Sequence, residues 1–227
     1  MSTRHRERVQ RAWTIGVVAA LLAIVVGGYL VQSTRDASGR AATAPAGVTD
    51  TYGVMVGDAT APHTVTVYED FQCPICHDFE ARAGDRLRKA VDAGRIRLDY
   101  RMVAFLDGAS TTDYSTRALN AAAVVLDTSG QDVFLEFHDL LFDHQPPEGS
   151  AGLSDAELVR YAVRAGADES AVRPGIEGLR FRQWAVNATS QMSRDGVNGT
   201  PTVLVDGEMQ AEATLQSSID TALRATD

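Results

Sequence analysis

Hydrophobic positions along this chain recur with two different periods, which predict an alternation of strands and helices. Residues 63–68 are β-branched and aromatic, and residues 96–102 alternate apolar with charged side chains, so both stretches predict strands. Between them, apolar side chains recur every three or four positions over residues 76–91, which indicates an amphipathic helix. We expect Glu80 on the polar face of that helix.

A block of helices is predicted after the second strand. Its periodic segments lie at about residues 113–127, 131–143, 154–165 and 175–194. An apolar strand at 202–205, a hairpin turn at Asp206 and Gly207, and a closing helix at about 212–225 follow. This order of elements predicts an α/β fold with a helical insertion at about 107–195.

The second helix of this block and its C-terminal end carry potential metal ligands. These are His138, Asp139, Asp143 and His144. Charged side chains on one face of a surface helix usually face solvent, so we interpret the group as a solvated face rather than a metal site.

The N-terminal segment predicts a membrane anchor. Residues 14–31 are 18 positions without a charge, about 27 Å as a helix, and four arginines precede them. The positive-inside rule then predicts a cytoplasmic tail at 1–12, a single transmembrane helix at 13–31 and an extracytoplasmic remainder in the cell membrane. A cleaved signal peptide, which would give a secreted protein, is the alternative. Residues 32–50 are small and polar and predict a flexible linker, followed by the folded domain at 51–227.

The charge of the chain excludes one class of partner. The net charge is −9, although the first 35 residues hold five arginines and one acid, so the remainder is more acidic still. Such a domain repels phosphates, which excludes a nucleic-acid-binding protein.

The chain has two cysteines, and they form one C-x-x-C motif, Cys73-Pro74-Ile75-Cys76. A second pair of cysteines is missing, which argues against a zinc knuckle, and a disulfide across two residues closes too short a loop to stabilise the fold. In an oxidising compartment the motif therefore indicates redox chemistry, with no cofactor. At a helix N-terminus Cys73 is expected to be the exposed, low-pKa nucleophile, with Pro74 in the first turn and Cys76 as the buried resolving thiol.

Two interpretations from other classes compete with redox chemistry. Together with His77 the motif also matches C-x-x-C-H, the attachment motif of c-type haem, but the predicted strands do not suit a haem-wrapping helical fold. A redox-inactive binding module is the third interpretation, and retention of both cysteines argues against it.

Two motifs give the sequence its resemblance to a known family. Residues 57–76, with Asp70-Phe71-Gln72 before the cysteines, and residues 196–207, with Gly199-Thr200-Pro201, resemble the DsbA-like thiol:disulfide oxidoreductases of the thioredoxin-fold superfamily, in their membrane-anchored bacterial form; residues 134–142 resemble a helix of that family's inserted domain. The resemblance implies a thioredoxin-like fold over about 52–227. It also implies a cis Pro201 that faces the disulfide and a substrate-binding loop at Thr200 and Pro201.

The sequence departs from the family pattern at the active site. The family often carries a buried acid six residues before the first cysteine, where this chain has Val67, and we expect Glu69 and Asp70 to point elsewhere. The Pro74-Ile75 dipeptide lacks the histidine of the strongest oxidants, although His77 is placed to stabilise the thiolate. We therefore expect a weaker oxidant.

The resemblance implies a function and partners. The expected activity is oxidation of cysteine pairs in secreted or surface proteins, with re-oxidation by a membrane quinone-linked partner. A disulfide reductase of the same fold is the alternative.

Overall fold

The computed structural model describes residues 39–211, which are built on a five-stranded mixed sheet. The strands are β1 (Val54–Val56), β2 (His63–Glu69), β3 (Ile96–Met102), β4 (Thr202–Val205) and β5 (Glu208–Met209). Their order is β1-β3-β2-β4-β5, with β2 parallel to β3 and the other pairs antiparallel. The three longer strands coincide with the predicted ones, whereas the three-residue β1 was missed.

Strand β2 is the centre of the sheet. Val67 pairs with Tyr100 of β3 on one side and with Val203 of β4 on the other. Val65 and Val67 are fully buried, as expected for a β-branched strand with neighbours on both edges. The strand ends at Glu69, so it delivers the chain directly to the loop that carries the cysteines.

Helices cover the sheet and fill the connection between β3 and β4. They are α1 (Pro74–Phe79), a π-helical segment (Glu80–Gly84), α2 (Asp85–Asp92), α3 (Tyr114–Ser129), α4 (Gln131–Asp143), α5 (Asp155–Arg164), α6 (Glu169–Glu177) and α7 (Arg182–Arg194). The helices α3 to α7 lie between β3 and β4 in the chain. The predicted thioredoxin-like α/β fold is therefore confirmed.

The single helix predicted at 175–194 is wrong. Helix α6 ends at Glu177, and α7 begins at Arg182 after Leu179, whose φ of 50° lies in the left-handed region. The fully buried Asn120 holds this break. Its Nδ2 donates to the carbonyl groups of Gly175 and Ile176, and its Oδ1 accepts from the backbone N–H of Phe181 at 2.7 Å.

The flexible linker predicted at 32–50 is wrong for the residues just before β1. Pro45 is buried, the N–H of Ala46 donates to Oδ1 of Asp127 at 2.9 Å, and Val48 forms a β-bridge with Val54. These residues are ordered because the domain offers them apolar and hydrogen-bonding partners.

Three other predictions fall outside the described residues: the tail at 1–12, the anchor at 13–31 and the closing helix at 212–225. Among residues 39–211, no helix combines the length and the apolar character needed to cross a bilayer.

We expect Asn120→Ala to lower the free energy of unfolding by about 2 to 4 kcal/mol, because it leaves buried backbone groups at the α6–α7 break without partners. Urea denaturation of the full-length protein measures the effect. Asn198→Ala is the matched control at an exposed site and should change the free energy by less than about 0.5 kcal/mol. Equal effects of the two substitutions would contradict the role of Asn120.

Candidate active site

The two cysteines lie at the start of the helix that follows β2. Cys73 is the N-cap residue of α1, Pro74 occupies its first turn, and Cys76 lies within it. Both sulfurs are in the dithiol form. Cys76 is fully buried, and Cys73 is only 5% exposed rather than open to solvent as expected.

Thr200 covers Cys73. In its protonated form the Cys73 thiol donates to the backbone carbonyl of Thr200 at 3.3 Å, across 127 residues of sequence. The Thr200–Pro201 peptide bond is cis. The structure therefore brings together Cys73, Cys76, Thr200 and Pro201, the residues singled out in the sequence.

The two thiols have opposite acidities. A hydrogen bond from the Cys76 thiol is the main cause that lowers the pKa of Cys73 to about 6, and hydrogen bonds from the Thr200 side chain and from the backbone N–H groups of Ile75 and Cys76 add to it against the effect of burial. Burial raises the pKa of Cys76 far above its ordinary value, and the hydrogen bond to Cys73 and the charge of Glu69 act in the same direction. At neutral pH the site thus holds a Cys73 thiolate and a Cys76 thiol.

The other predicted tuning residues are placed differently. Pro74 and Ile75 face solvent, and Ile75 is 58% exposed. The His77 side chain lies beside Asp78, with Nδ1 and Oδ1 3.6 Å apart. The thiolate is stabilised mainly by Cys76, Thr200 and backbone N–H groups, rather than by His77.

The helical insertion holds the cysteine loop in place. Gln145, just after α4, donates from Nε2 to the carbonyl of Cys73 at 2.9 Å. In the opposite direction, Gln72 donates from Nε2 to the carbonyl groups of Pro147 and Ser150. The loop therefore depends on both the sheet and the insertion.

Asp70 holds the same loop in place through hydrogen bonds to three other residues. Its Oδ1 accepts from the backbone N–H of Gln72 and from the Ser115 hydroxyl, at 2.8 and 2.6 Å, and its Oδ2 accepts from the N–H of Leu106 at 2.9 Å. Burial raises the pKa of Asp70 to about 6, and these hydrogen bonds oppose the shift.

The expectation that Glu69 points away from the cysteines is wrong. Residues two apart on a strand share a face, so Glu69 follows Val67 towards the helix side of the sheet, where it is fully buried and its charge acts on Cys76. Burial raises the pKa of Glu69 to about 8. The two-residue periodicity of β2 was the signal that could have found it.

Glu80 and His138 are also buried, although the sequence predicted both on solvent-exposed helix faces. Glu80 lies four residues after the buried Cys76 and therefore on the same face of the helix, and burial raises its pKa to about 9. His138 is fully buried, one helical turn from both Phe134 and Phe142. That apolar spacing was the available signal.

Comparisons with known proteins agree with this geometry. A model of the thioredoxin family matches residues 49–225. The disulfide bond oxidoreductase DsbG of Mycobacterium tuberculosis is 33% identical, with a TM-score of 0.63 over 77% of this chain and 93% of that one. DsbA of the same organism is 31% identical, with a TM-score of 0.63 over 78% of this chain and 100% of that one.

A curated relative shows a similar sequence within a much longer chain. The serine/threonine-protein kinase PknE of Mycobacterium tuberculosis is 32% identical over 164 residues, which are 69% of this chain and 29% of the kinase. The present chain thus spans less than a third of that relative.

We expect the rate of Cys73 alkylation by iodoacetamide to rise with pH through a midpoint near 6, because a lowered pKa leaves the thiolate populated above that pH. Cys76→Ala removes the thiol donor and should move the midpoint upward by at least about one unit, towards the ordinary thiol value of about 8.5. Ile75→Ala, which keeps the donor, should leave the midpoint unchanged. An unshifted midpoint in Cys76→Ala would contradict this account of the pKa.

Proposed function

Since the chain belongs to the thioredoxin family and is a DsbA-like thiol:disulfide oxidoreductase, we propose that it oxidises cysteine pairs in secreted or surface proteins. The supporting observation is the opposite acidity of its two thiols, one stabilised as a thiolate beside Thr200 and the other buried.

The proposed reaction proceeds by two thiol–disulfide exchanges. A client thiolate attacks Sγ of Cys73 in the Cys73–Cys76 disulfide, and Cys76 leaves and takes up a proton. A second client thiolate then attacks the client sulfur of the mixed disulfide and expels Cys73 as a thiolate. The client loses two electrons, and the cysteine pair gains them.

Stabilisation of the Cys73 thiolate favours the oxidising direction. A more stable leaving thiolate stabilises the reduced form of the pair and makes the disulfide a stronger oxidant. The pKa of about 6 lies between those of the most oxidising member of the superfamily, about 3.5, and of thioredoxin, about 7. This supports an oxidant of intermediate strength.

Thr200 and Pro201 are the proposed client-binding loop. The carbonyl group of Thr200 already contacts the reactive sulfur, so the backbone here is suitably placed to pair with an extended client segment. Exposed Ile75 adds an apolar contact next to Cys73.

The proposed setting is the outer side of the cell membrane. An anchor at 13–31 would hold the domain near a quinone-linked partner that re-oxidises the cysteine pair. Signal cleavage would instead release the domain as a secreted protein.

We expect Cys76→Ala to accumulate a one-to-one mixed disulfide when the full-length protein meets a peptide that contains a disulfide. Cys73 can attack the peptide, but no second thiol remains to resolve the adduct. Mass spectrometry under non-reducing conditions detects the adduct, and dithiothreitol should release it. Cys73→Ser is the control and should form none. Similar adduct levels in both variants would refute the assignment of nucleophile and resolving thiol.

We expect the Cys73–Cys76 pair to have a reduction potential between about −120 and −180 mV, the range of disulfide donors. Equilibration of the full-length protein with glutathione buffers, followed by alkylation and mass analysis, measures it. A potential near about −270 mV would identify a reductase of the same fold instead.

A further inference from the structure

Glu69, Glu80 and His138 meet in the interior beneath the cysteine motif. They come from three separate elements, namely the end of β2, the π-helical segment and helix α4. Glu69 and His138 are fully buried, and Glu80 is 9% exposed. The thiol–disulfide exchange proposed above does not require a ligand to be bound at this cluster.

The geometry of the cluster suits a single cation. One ligand atom from each residue lies within 4.8 Å of the other two, and Nε2 of His138 is 3.0 Å from Oε2 of Glu69. Around zinc with bonds of ~2.0 Å and tetrahedral angles, neighbouring ligand atoms are separated by ~3.3 Å. Small side-chain movements would therefore allow all three residues to coordinate one ion.

The carboxyl groups of this cluster lack sufficient partners. Oε1 of Glu69 and both carboxyl oxygens of Glu80 are buried, and no donor reaches them apart from the proton that the two carboxyl groups share. Burial raises the pKa of both carboxyl groups, so they are mainly protonated at neutral pH. A divalent cation would displace these protons and bind the oxygens that they leave.

His138 is held in the orientation that a metal ligand needs. Its Nδ1 is 3.2 Å from Oδ1 of Asp139, which also accepts from Arg88 at 2.7 Å. With Nδ1 donating to Asp139, the lone pair of Nε2 faces the two glutamates. This carboxylate–histidine arrangement is common around protein-bound metals. The rings of Phe71 and Tyr100 pack against the imidazole and fix it.

A surface cleft leads to the cluster. It has a volume of about 280 Å³, and Glu80 lines it together with three aspartates, Asp85, Asp139 and Asp143, and with His77 and Arg88. Four acids against one arginine make this mouth attractive to cations.

We propose that Glu69, Glu80 and His138 form a binding site for one zinc ion. Imidazole and carboxylate ligands suit zinc, and zinc has no redox chemistry that would oxidise the neighbouring thiols. Three protein ligands leave a fourth position open for water. Zinc binding can be tested separately from the proposed disulfide exchange, because neither Cys73 nor Cys76 is a ligand in this site.

The test is calorimetric titration of zinc chloride into the full-length chain that carries Cys73→Ser and Cys76→Ser, so that no cysteine sulfur binds the metal. The expected result is one zinc ion per chain. In this background His138→Gln, which removes a ligand, should abolish stoichiometric binding. His144→Gln is the matched control, because it removes a histidine just beyond the end of the same helix, and should bind zinc like its parent.

Two further variants weaken the site without changing a ligand. A Cβ at Gly84 would lie 2.5 Å from Oε2 of Glu80, so Gly84→Ala displaces that carboxyl group. Asp139→Asn weakens the partner of His138. Each should weaken zinc binding by about ten- to a hundredfold, with circular dichroism and thermal unfolding confirming the fold of every variant.

Absence of zinc binding in the Ser–Ser parent would overturn the proposal. Binding that His138→Gln and Gly84→Ala leave unchanged would also overturn it, because the metal would then lie at surface residues. Failure of the proposed disulfide exchange would not affect either result, since the titration contains no thiol.

Discussion

The hydrogen bond from the Cys76 thiol to the sulfur of Cys73 is the contact on which the chemistry of this chain depends. It requires Cys76 to remain protonated, and burial ensures this by raising its pKa. The same contact is the largest cause of the lowered pKa of Cys73. One residue pair therefore sets both acidities, and the hydrophobic core that buries Cys76 takes part directly in the reactivity of Cys73.

The helical insertion contributes to the site through backbone groups of the cysteine loop. Gln145 donates to the carbonyl group of Cys73, and Gln72 donates to the carbonyl group of Pro147. Asp70 accepts from the Ser115 hydroxyl and so connects the loop to α3. Movements of the insertion would therefore be transmitted to Cys73. The position of the nucleophile relative to Thr200 depends on both parts of the domain.

The redox motif of the two cysteines and the positions of the three longer strands can be recognised in the sequence because their signals are local. The spacing of C-x-x-C, the β-branched and aromatic run of β2 and the alternation in β3 are all patterns among neighbouring residues. The break at Leu179 was missed because its stabilising partner, Asn120, lies far away in the chain. Glu80 was assigned to the polar face because it is charged, although its position four residues after Cys76 places it on the buried face. The pairing of Cys73 with Thr200 came from family resemblance, since no local pattern relates residues 127 positions apart.

The central position of β2 has a consequence for how the chain tolerates change. Its odd-numbered residues Val65, Val67 and Glu69 face the helix that carries Cys76. Tyr68 lies on the opposite face, where its hydroxyl donates a hydrogen bond to Asp195 at 2.6 Å. A single residue inserted or deleted in this strand would exchange the two faces and place Tyr68 beneath the cysteines. Length variation should therefore accumulate in the exposed turns of the insertion, while β2 keeps a constant length among functional variants.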